Sequence, residues 1–137
     1  MRTVIKDIYD WQVEAGNAER PYDDKLEDSF TVEESLEQFS NVENPKFASR
    51  VIMSNAGHFT GTDVDRLDKA CDKIVFAIGS MAKLGLDVDQ INEALSIVNN
   101  ANKQKLGMKR DEKGKLMKPA NFKEPQKDLQ KLLNEEK

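Results

Sequence analysis

Three glutamates near residue 35 form the pattern E-E-x-x-E, and they are Glu33, Glu34 and Glu37. On a helix, residues three and four apart are neighbours, so Glu37 is expected beside both of the others. Like charges at this spacing repel, which weakens an isolated helix by about 0.2–0.5 kcal/mol per pair. A divalent cation between the carboxylates would reverse that effect. Oxygen ligands without His or Cys suit Mg²⁺, with Mn²⁺ as a second possibility.

A second group of acids follows at the same helical spacing, and its members are Asp65, Asp68 and Asp72. Asp72 stands next to apolar positions such as Ile74 and Val75, and the sequence after it is nearly all apolar as far as Ala82. We therefore expect the Asp72 carboxylate to be at least partly buried. A buried charge needs a cation or a hydrogen-bonding partner.

Helix bundles build carboxylate metal sites from acids that face one another on neighbouring helices. We therefore predict that the helices carrying the two groups pack antiparallel and that Glu33, Glu37 and Asp72 converge on one site. Other site chemistries lack the necessary residues. His58 is the only histidine and Cys71 the only cysteine, which excludes a cysteine zinc cluster and an internal disulfide.

The elements that position these acids are all helical, because apolar residues recur at helical spacing and no stretch alternates as a strand would. Capping residues, glycines and prolines mark where each helix begins and ends. The predicted helices run from about residue 4 to Gly16-Asn17, from Asp24 to Ser40, from Thr62 or Asp63 to Gly85, and from Asp87 to Lys105, with shorter helical runs within 46–61 and 127–134.

The length and composition predict one ordinary domain of the all-α class, a four-helix bundle with a basic C-terminal tail. The chain has 137 residues, of which 38% are hydrophobic and 34% charged. No apolar run approaches the roughly 18 residues that a membrane span needs, so no membrane partner is expected. A single cysteine is typical of a reduced, cytoplasmic protein.

Charge is unevenly distributed along the chain. The net charge is −4, but residues 101–137 carry 11 basic and 6 acidic side chains, whereas residues 1–100 carry 10 basic and 19 acidic ones. Nucleic-acid binders usually have a basic body, so nucleic acid is not the expected partner. This distribution suits a protein that holds divalent cations on its body and meets phosphate with its tail, but charge alone favours a solvated surface with a lysine-rich tail.

Taken together, these motifs resemble those of the all-α nucleoside triphosphate pyrophosphohydrolases, the MazG-like and phosphoribosyl-ATP pyrophosphohydrolase-like proteins, including short phage-encoded versions. The resemblance covers about residues 24–133. It implies a MazG-like domain over 1–107 and a basic extension over 108–137 that packs on the site or completes it. The matching stretches are E-E-x-x-E at 33–37, the acidic helix start ending at Asp72, Leu84-Gly85-Leu86-Asp87, Glu93-Ala94-Leu95, Asn102 to Gly107, and Gly114 to Pro119.

The resemblance implies hydrolysis of a ribo- or deoxyribonucleoside triphosphate to the monophosphate and pyrophosphate. Glu33, Glu37 and Asp72 would bind one to three Mg²⁺ ions, and Glu34 would be a further ligand or the residue that activates water. The family pattern has a glutamate three residues before the Asp72 position, where this chain has Lys69. Asp68 or Asp65 would then supply the extra ligand, and the sequence leaves that choice open.

The same resemblance implies contacts to the nucleotide from Asn102 and Lys105, near the end of the fourth helix, and from Gln12 and Asn17, near the first. It also implies a homodimer or homotetramer in the cytoplasm, which is the host cytoplasm for a phage-encoded version. Two alternatives stay open at this point. One is a non-catalytic helical bundle that senses nucleotides or binds proteins, and the other is an adaptor whose basic tail contacts nucleic acid.

Overall fold

The computed structural model describes residues 3–135. The first two residues of the domain predicted over 1–107 and the last two residues of the extension predicted over 108–137 therefore lie outside the described residues. The described residues form six α-helices, two short 3-10 turns and no β-strand, which confirms the all-α class. The helices are α1 (Val4–Glu14), α2 (Asp24–Leu36), α3 (Pro45–Ser54), α4 (Asp63–Lys83), α5 (Val88–Asn102) and α6 (Gln126–Leu133).

The chain divides into two compact units. One unit is Arg20–Val64, which contains α2 and α3. The other combines the N-terminal segment up to Glu19 with the chain from Asp65 onward, and it contains α1, nearly all of α4, α5 and α6.

The Arg20–Val64 unit is a pair of packed helices with a cap at the start of each. Asp23 accepts a hydrogen bond from the Leu26 N–H at 3.0 Å, and Asn44 accepts one from the Phe47 N–H at 3.0 Å. Both bonds satisfy N–H groups that the first turn of a helix leaves without partners. Lys25 donates to the Ala56 carbonyl at 2.7 Å, which connects the start of α2 to the residues just after α3.

The other unit has its core where α5 packs between α1 and α6. Trp11 of α1, Ile91 and Ala94 of α5, and Leu132 of α6 are all buried. A capping box starts α5, because Asp87 accepts from the Gln90 N–H and the Gln90 side chain accepts from the Asp87 N–H. α1 begins at Val4 and α5 at Val88, as predicted, and α1 ends at Glu14, two residues before the predicted Gly16-Asn17.

Two predicted helix ends are wrong by three or four residues. α2 ends at Leu36 rather than near Ser40, and Phe39, which extends the apolar pattern, is 63% exposed. α5 ends at Asn102, and the chain continues as a 3-10 turn to Lys105. Tighter turns of this kind are common at helix ends.

α4 begins at Asp63, as predicted, but none of its 21 residues is buried. Its apolar stripe is exposed along most of its length, with Leu67 at 67%, Val75 at 63% and Phe76 at 75%. A soluble helix normally places such a stripe against another element. Within residues 3–135, no helix combines the length and the apolar character that crossing a membrane requires.

Candidate functional site

The three glutamates of α2 differ in exposure. Glu33 is buried, with 4% of its surface exposed, whereas Glu34 and Glu37 are exposed. Glu37 lies just beyond the last helical residue, but its backbone keeps helical angles, φ −58° and ψ −28°. Glu33 and Glu37 therefore remain one helical turn apart, and the shorter helix does not disturb the predicted spacing.

The buried face of α2 explains why Glu33 differs from its neighbours. Ser29 lies one turn before Glu33 and is 1% exposed. Its hydroxyl donates to the Leu26 carbonyl of its own helix at 2.6 Å, so this small side chain is satisfied locally. Glu33 continues the same face, while Glu34 is rotated away from it.

The prediction that Asp72 is partly buried is wrong for this chain, because Asp72 is exposed. Its apolar neighbours Ile74 and Val75 are 60% and 63% exposed, so the apolar stripe around it does not form an interior here. Asp65 and Asp68 are exposed as well. The three aspartates share one face of α4, as their spacing predicts.

The convergence of Glu33, Glu37 and Asp72 stays a prediction, because the glutamates and Asp72 belong to different units. Among residues 3–135, no group of three or more acidic, histidine or cysteine side chains is placed so that it could hold a metal ion. The chemistry of the donors is nevertheless uniform, since every candidate ligand is a carboxylate. Carboxylates are the ligands that Mg²⁺ takes from proteins.

Gln12 and Asn17 come together at the end of α1. The Asn17 side-chain amide donates to Gln12 Oε1 at 2.8 Å, and Asn17 Oδ1 accepts from Arg110 Nη1 at 2.8 Å. All three side chains are half-buried. The structure therefore links two predicted nucleotide contacts to an arginine of the basic extension.

Asn102 and Lys105 lie at the end of α5 and in the 3-10 turn after it, and both are half-buried. The Lys105 ammonium lies 5.7 Å from the centre of the Phe122 ring, and Lys118 lies 5.0 Å from the same ring. Ammonium groups are attracted to aromatic faces at these distances. The basic extension thus packs against Lys105, and Lys118 also pairs with Glu124 at 2.8 Å.

Trp11 is a core residue with one unusual feature. The indole is 9% exposed, and its buried Nε1 has no hydrogen-bond acceptor among residues 3–135. Buried indole N–H groups usually find an acceptor. Trp11 directly precedes Gln12 in the sequence of α1.

An open apolar cavity of about 240 Å³ lies among the C-terminal end of α4, α5 and α6. Met81, Leu95 and Leu132 are among its lining residues, and every lining side chain is apolar. Nucleotide sites need polar groups that fix the orientation of the ligand. This cavity has none, so it does not suit a nucleotide.

Arg110 is the residue that sequence reasoning missed. It lies in a basic segment where no periodic pattern distinguishes one cation from the next. The available signal was Asp111 followed three residues later by Gly114, which is typical of a tight turn. Such a turn would have predicted a fixed position for the residue just before it.

No protein-family model matches the chain, and no curated protein or solved structure matches it either.

Proposed function

We propose that this protein is a Mg²⁺-dependent nucleotide pyrophosphohydrolase, which converts a nucleoside triphosphate and water to the monophosphate and pyrophosphate. The observation that carries the proposal is the burial of Glu33 inside the E-E-x-x-E motif. Glutamate is almost never fully buried unless it is paired, and Glu33 does interact with its surroundings, so its carboxylate is held in a fixed position. One carboxylate held in place next to two accessible ones suits a site that opens to a charged ligand.

The residues have separate roles in this proposal. Glu33, Glu37 and Asp72 bind the metal, with Asp68 or Asp65 as an additional ligand. When bound, Mg²⁺ would neutralise charge on the leaving pyrophosphate and lower the pKa of the attacking water. Glu34 is exposed, so it can contact that water, orient it and accept its proton.

Four further residues bind the nucleotide in this proposal, two near the end of α5 and two near the end of α1. Lys105 contacts a phosphate, and Asn102 contacts the sugar or the base. Gln12 and Asn17 contact the base from the end of α1. The fixed positions of Gln12 and Asn17 support this assignment, because side chains already held by hydrogen bonds lose little freedom when a ligand binds.

We also propose that the protein acts as a homodimer or homotetramer, in which a second copy covers α4. The exposed stripe on this helix supports that proposal, since large contiguous apolar surfaces mark interaction sites. The helix is about 31 Å long at 1.5 Å per residue, a length over which two copies can pack side by side.

The products of hydrolysis test the proposed function directly. We expect the nucleoside monophosphate and pyrophosphate, because the sequence has no G-x-x-x-x-G-K-[ST] loop of the kind used for attack at the γ-phosphate. The common ribo- and deoxyribonucleoside triphosphates should be incubated with Mg²⁺, and pyrophosphate and orthophosphate measured separately. Orthophosphate as the sole inorganic product would refute the proposal, and no turnover of any nucleotide would favour a non-catalytic bundle.

Mg²⁺ should also raise the melting temperature of the protein. The ion binds the native carboxylates better than those of the unfolded chain, so it stabilises the fold by mass action. At ten times its Kd this amounts to about 1.4 kcal/mol, which for a chain of this size is a shift of about 5 °C. Differential scanning calorimetry with and without millimolar Mg²⁺ measures the shift.

Glu37→Gln should remove most of that shift, because it takes one ligand away. Glu43→Gln is the matched control, since Glu43 is an exposed acid outside the motif and its loss should leave the shift intact. Sodium chloride at equal ionic strength controls for screening. An Mg²⁺ response that is equal in wild type, Glu37→Gln and Glu43→Gln would show that the motif does not bind the ion.

A further inference from the structure

A short turn in the basic extension holds Arg110 in a fixed position. The Asp111 side chain accepts from the Lys113 N–H at 2.8 Å and from the Lys115 N–H at 3.0 Å. The Met117 N–H donates to the Lys109 carbonyl at 2.8 Å, which closes the turn on both sides of Arg110. The backbone around Arg110 is therefore well defined although it belongs to no helix or sheet.

The guanidinium of Arg110 connects this turn to the end of α1. Nη1 donates to the Gly114 carbonyl at 2.7 Å, and Nη2 donates to the Ala15 carbonyl at 2.7 Å. Ala15 is the C-cap of α1, where a cation is favourable because helix carbonyls point outward there. Gly16 follows with φ +78°, and a Cβ at this position would lie 3.4 Å from Nη2. L side chains rarely adopt this φ, so the backbone conformation favours glycine at this position, whereas a Cβ would only be in ordinary contact with the guanidinium.

The remaining contact of Arg110 fixes the orientation of two amides. A guanidinium has only donors, so the group of Asn17 that faces Nη1 must be its oxygen. The Asn17 NH₂ then faces Gln12, and the group of Gln12 that receives it must also be an oxygen. The Gln12 NH₂ is consequently the end of the side chain that points away from this chain of hydrogen bonds.

We propose that Arg110 is a positioning residue that, through Asn17, presents Gln12 as a hydrogen-bond donor to the nucleotide. This inference rests on the proposed function, in which Gln12 contacts the base. The group it recognises is an acceptor, either a carbonyl oxygen or an unprotonated ring nitrogen. A base with an amino group at that position would place its own donor against the Gln12 NH₂, so it would be rejected.

Asn17→Asp tests the orientation without removing the link to Arg110. The new carboxylate still accepts from Arg110, but it can no longer donate to Gln12. The side-chain amide of Gln12 should therefore flip, so that its NH₂ donates to that carboxylate and its oxygen faces the ligand. In the free protein, the Gln12 side-chain amide signals in a ¹⁵N-correlated NMR spectrum should shift relative to wild type.

With nucleotide, Asn17→Asp should raise the KM of the preferred triphosphate about tenfold, since one hydrogen bond is exchanged for a repulsive contact. The kcat should stay within about twofold, because Gln12 does not contact the reacting phosphates. In a Gln12→Ala background, Asn17→Asp should raise KM much less than it does in wild type, because residues that act through one another are not additive. Asn100→Asp adds the same charge at an exposed site on α5 and should leave KM unchanged.

The outcomes separate the orientation of Gln12 from the proposed function. Unchanged Gln12 amide signals in the Asn17→Asp protein would overturn the inference whether or not the protein hydrolyses nucleotides. Shifted signals with an unchanged KM would show that Gln12 is oriented but does not recognise the substrate, which overturns the recognition step and leaves hydrolysis standing. If no nucleotide is bound or hydrolysed, the proposed function falls and recognition by Gln12 falls with it.

Discussion

Replacing Asp72 with asparagine is expected to abolish nucleotide hydrolysis while the protein stays folded. The substitution keeps the volume of the side chain and removes the charge that binds the metal. Loss of metal-assisted catalysis costs several kcal/mol of transition-state stabilisation, so kcat should fall by at least about a thousandfold. Steady-state pyrophosphate release measures the loss, and far-ultraviolet circular dichroism checks the fold.

The exposure of Asp72 makes this a clean experiment. Substitutions at exposed positions usually change stability by no more than about 0.5 kcal/mol, so a loss of activity would not reflect unfolding. Asp128→Asn is the matched control, because Asp128 is an exposed aspartate in α6 that has no proposed role. It should keep wild-type activity.

Two further variants decide which aspartate assists Asp72. Asp68→Asn should reduce turnover strongly if Asp68 is the additional ligand, and Asp65→Asn should do so if Asp65 takes that place. Both residues are exposed on the same face of α4, so neither change should disturb the fold.

Wild-type turnover in the Asp72→Asn protein would contradict the assignment of the metal site.

Most of the helices could be predicted because their signals are local. The capping box at Asp87 and Gln90 is an example, since both hydrogen bonds form within one turn of chain. The end of α2 was misplaced because Phe39 fits the helical pattern but packs against too little to extend the helix. Periodicity marks apolar positions, and packing decides whether they hold a helix together.

The predicted burial of Asp72 failed for a related reason. An apolar stripe shows which face of a helix should be covered, but it does not say what covers it. On α4 the residues around Asp72 form such a stripe and are exposed in the single chain. Glu33 shows the reverse case, because its burial follows from its position one turn after the buried Ser29, and no sequence pattern distinguished it from Glu34 in advance.

The link between Arg110 and Asn17 lay beyond sequence reasoning, because these residues are 93 positions apart. Each end has a local explanation in a turn or a helix end. Whether the two side chains come into contact depends on how the extension packs against α1. That packing is a property of the whole unit and not of either segment.

The second large effect concerns α4, where Val75→Asp should break a dimer or tetramer into single chains. Val75 is 63% exposed, and it lies between Ile74 and Phe76, which are 60% and 75% exposed. In a single chain, a charge at this position would be solvated and nearly neutral for stability. In an interface it would be buried without a partner, which costs several kcal/mol and prevents association.

Sedimentation equilibrium measures the effect as a mass. The wild-type protein should have two or four times the 15.5 kDa of one chain, and Val75→Asp should have the mass of one. Ile5→Asp is the matched control, because Ile5 is 77% exposed on α1 and the same change there should leave the mass of the assembly unaltered. Circular dichroism should show that both variants keep their helical content.

Hydrolysis by the Val75→Asp protein then shows what the assembly contributes. If α4 of one copy supports the metal site of another, the single chains should lose turnover together with their association, even though every carboxylate is still present. Retained turnover in single chains would mean that each copy carries a complete site and that the apolar stripe serves association alone. A wild-type protein with the mass of one chain would refute the proposed assembly, because α4 would then remain exposed without any second copy to cover it.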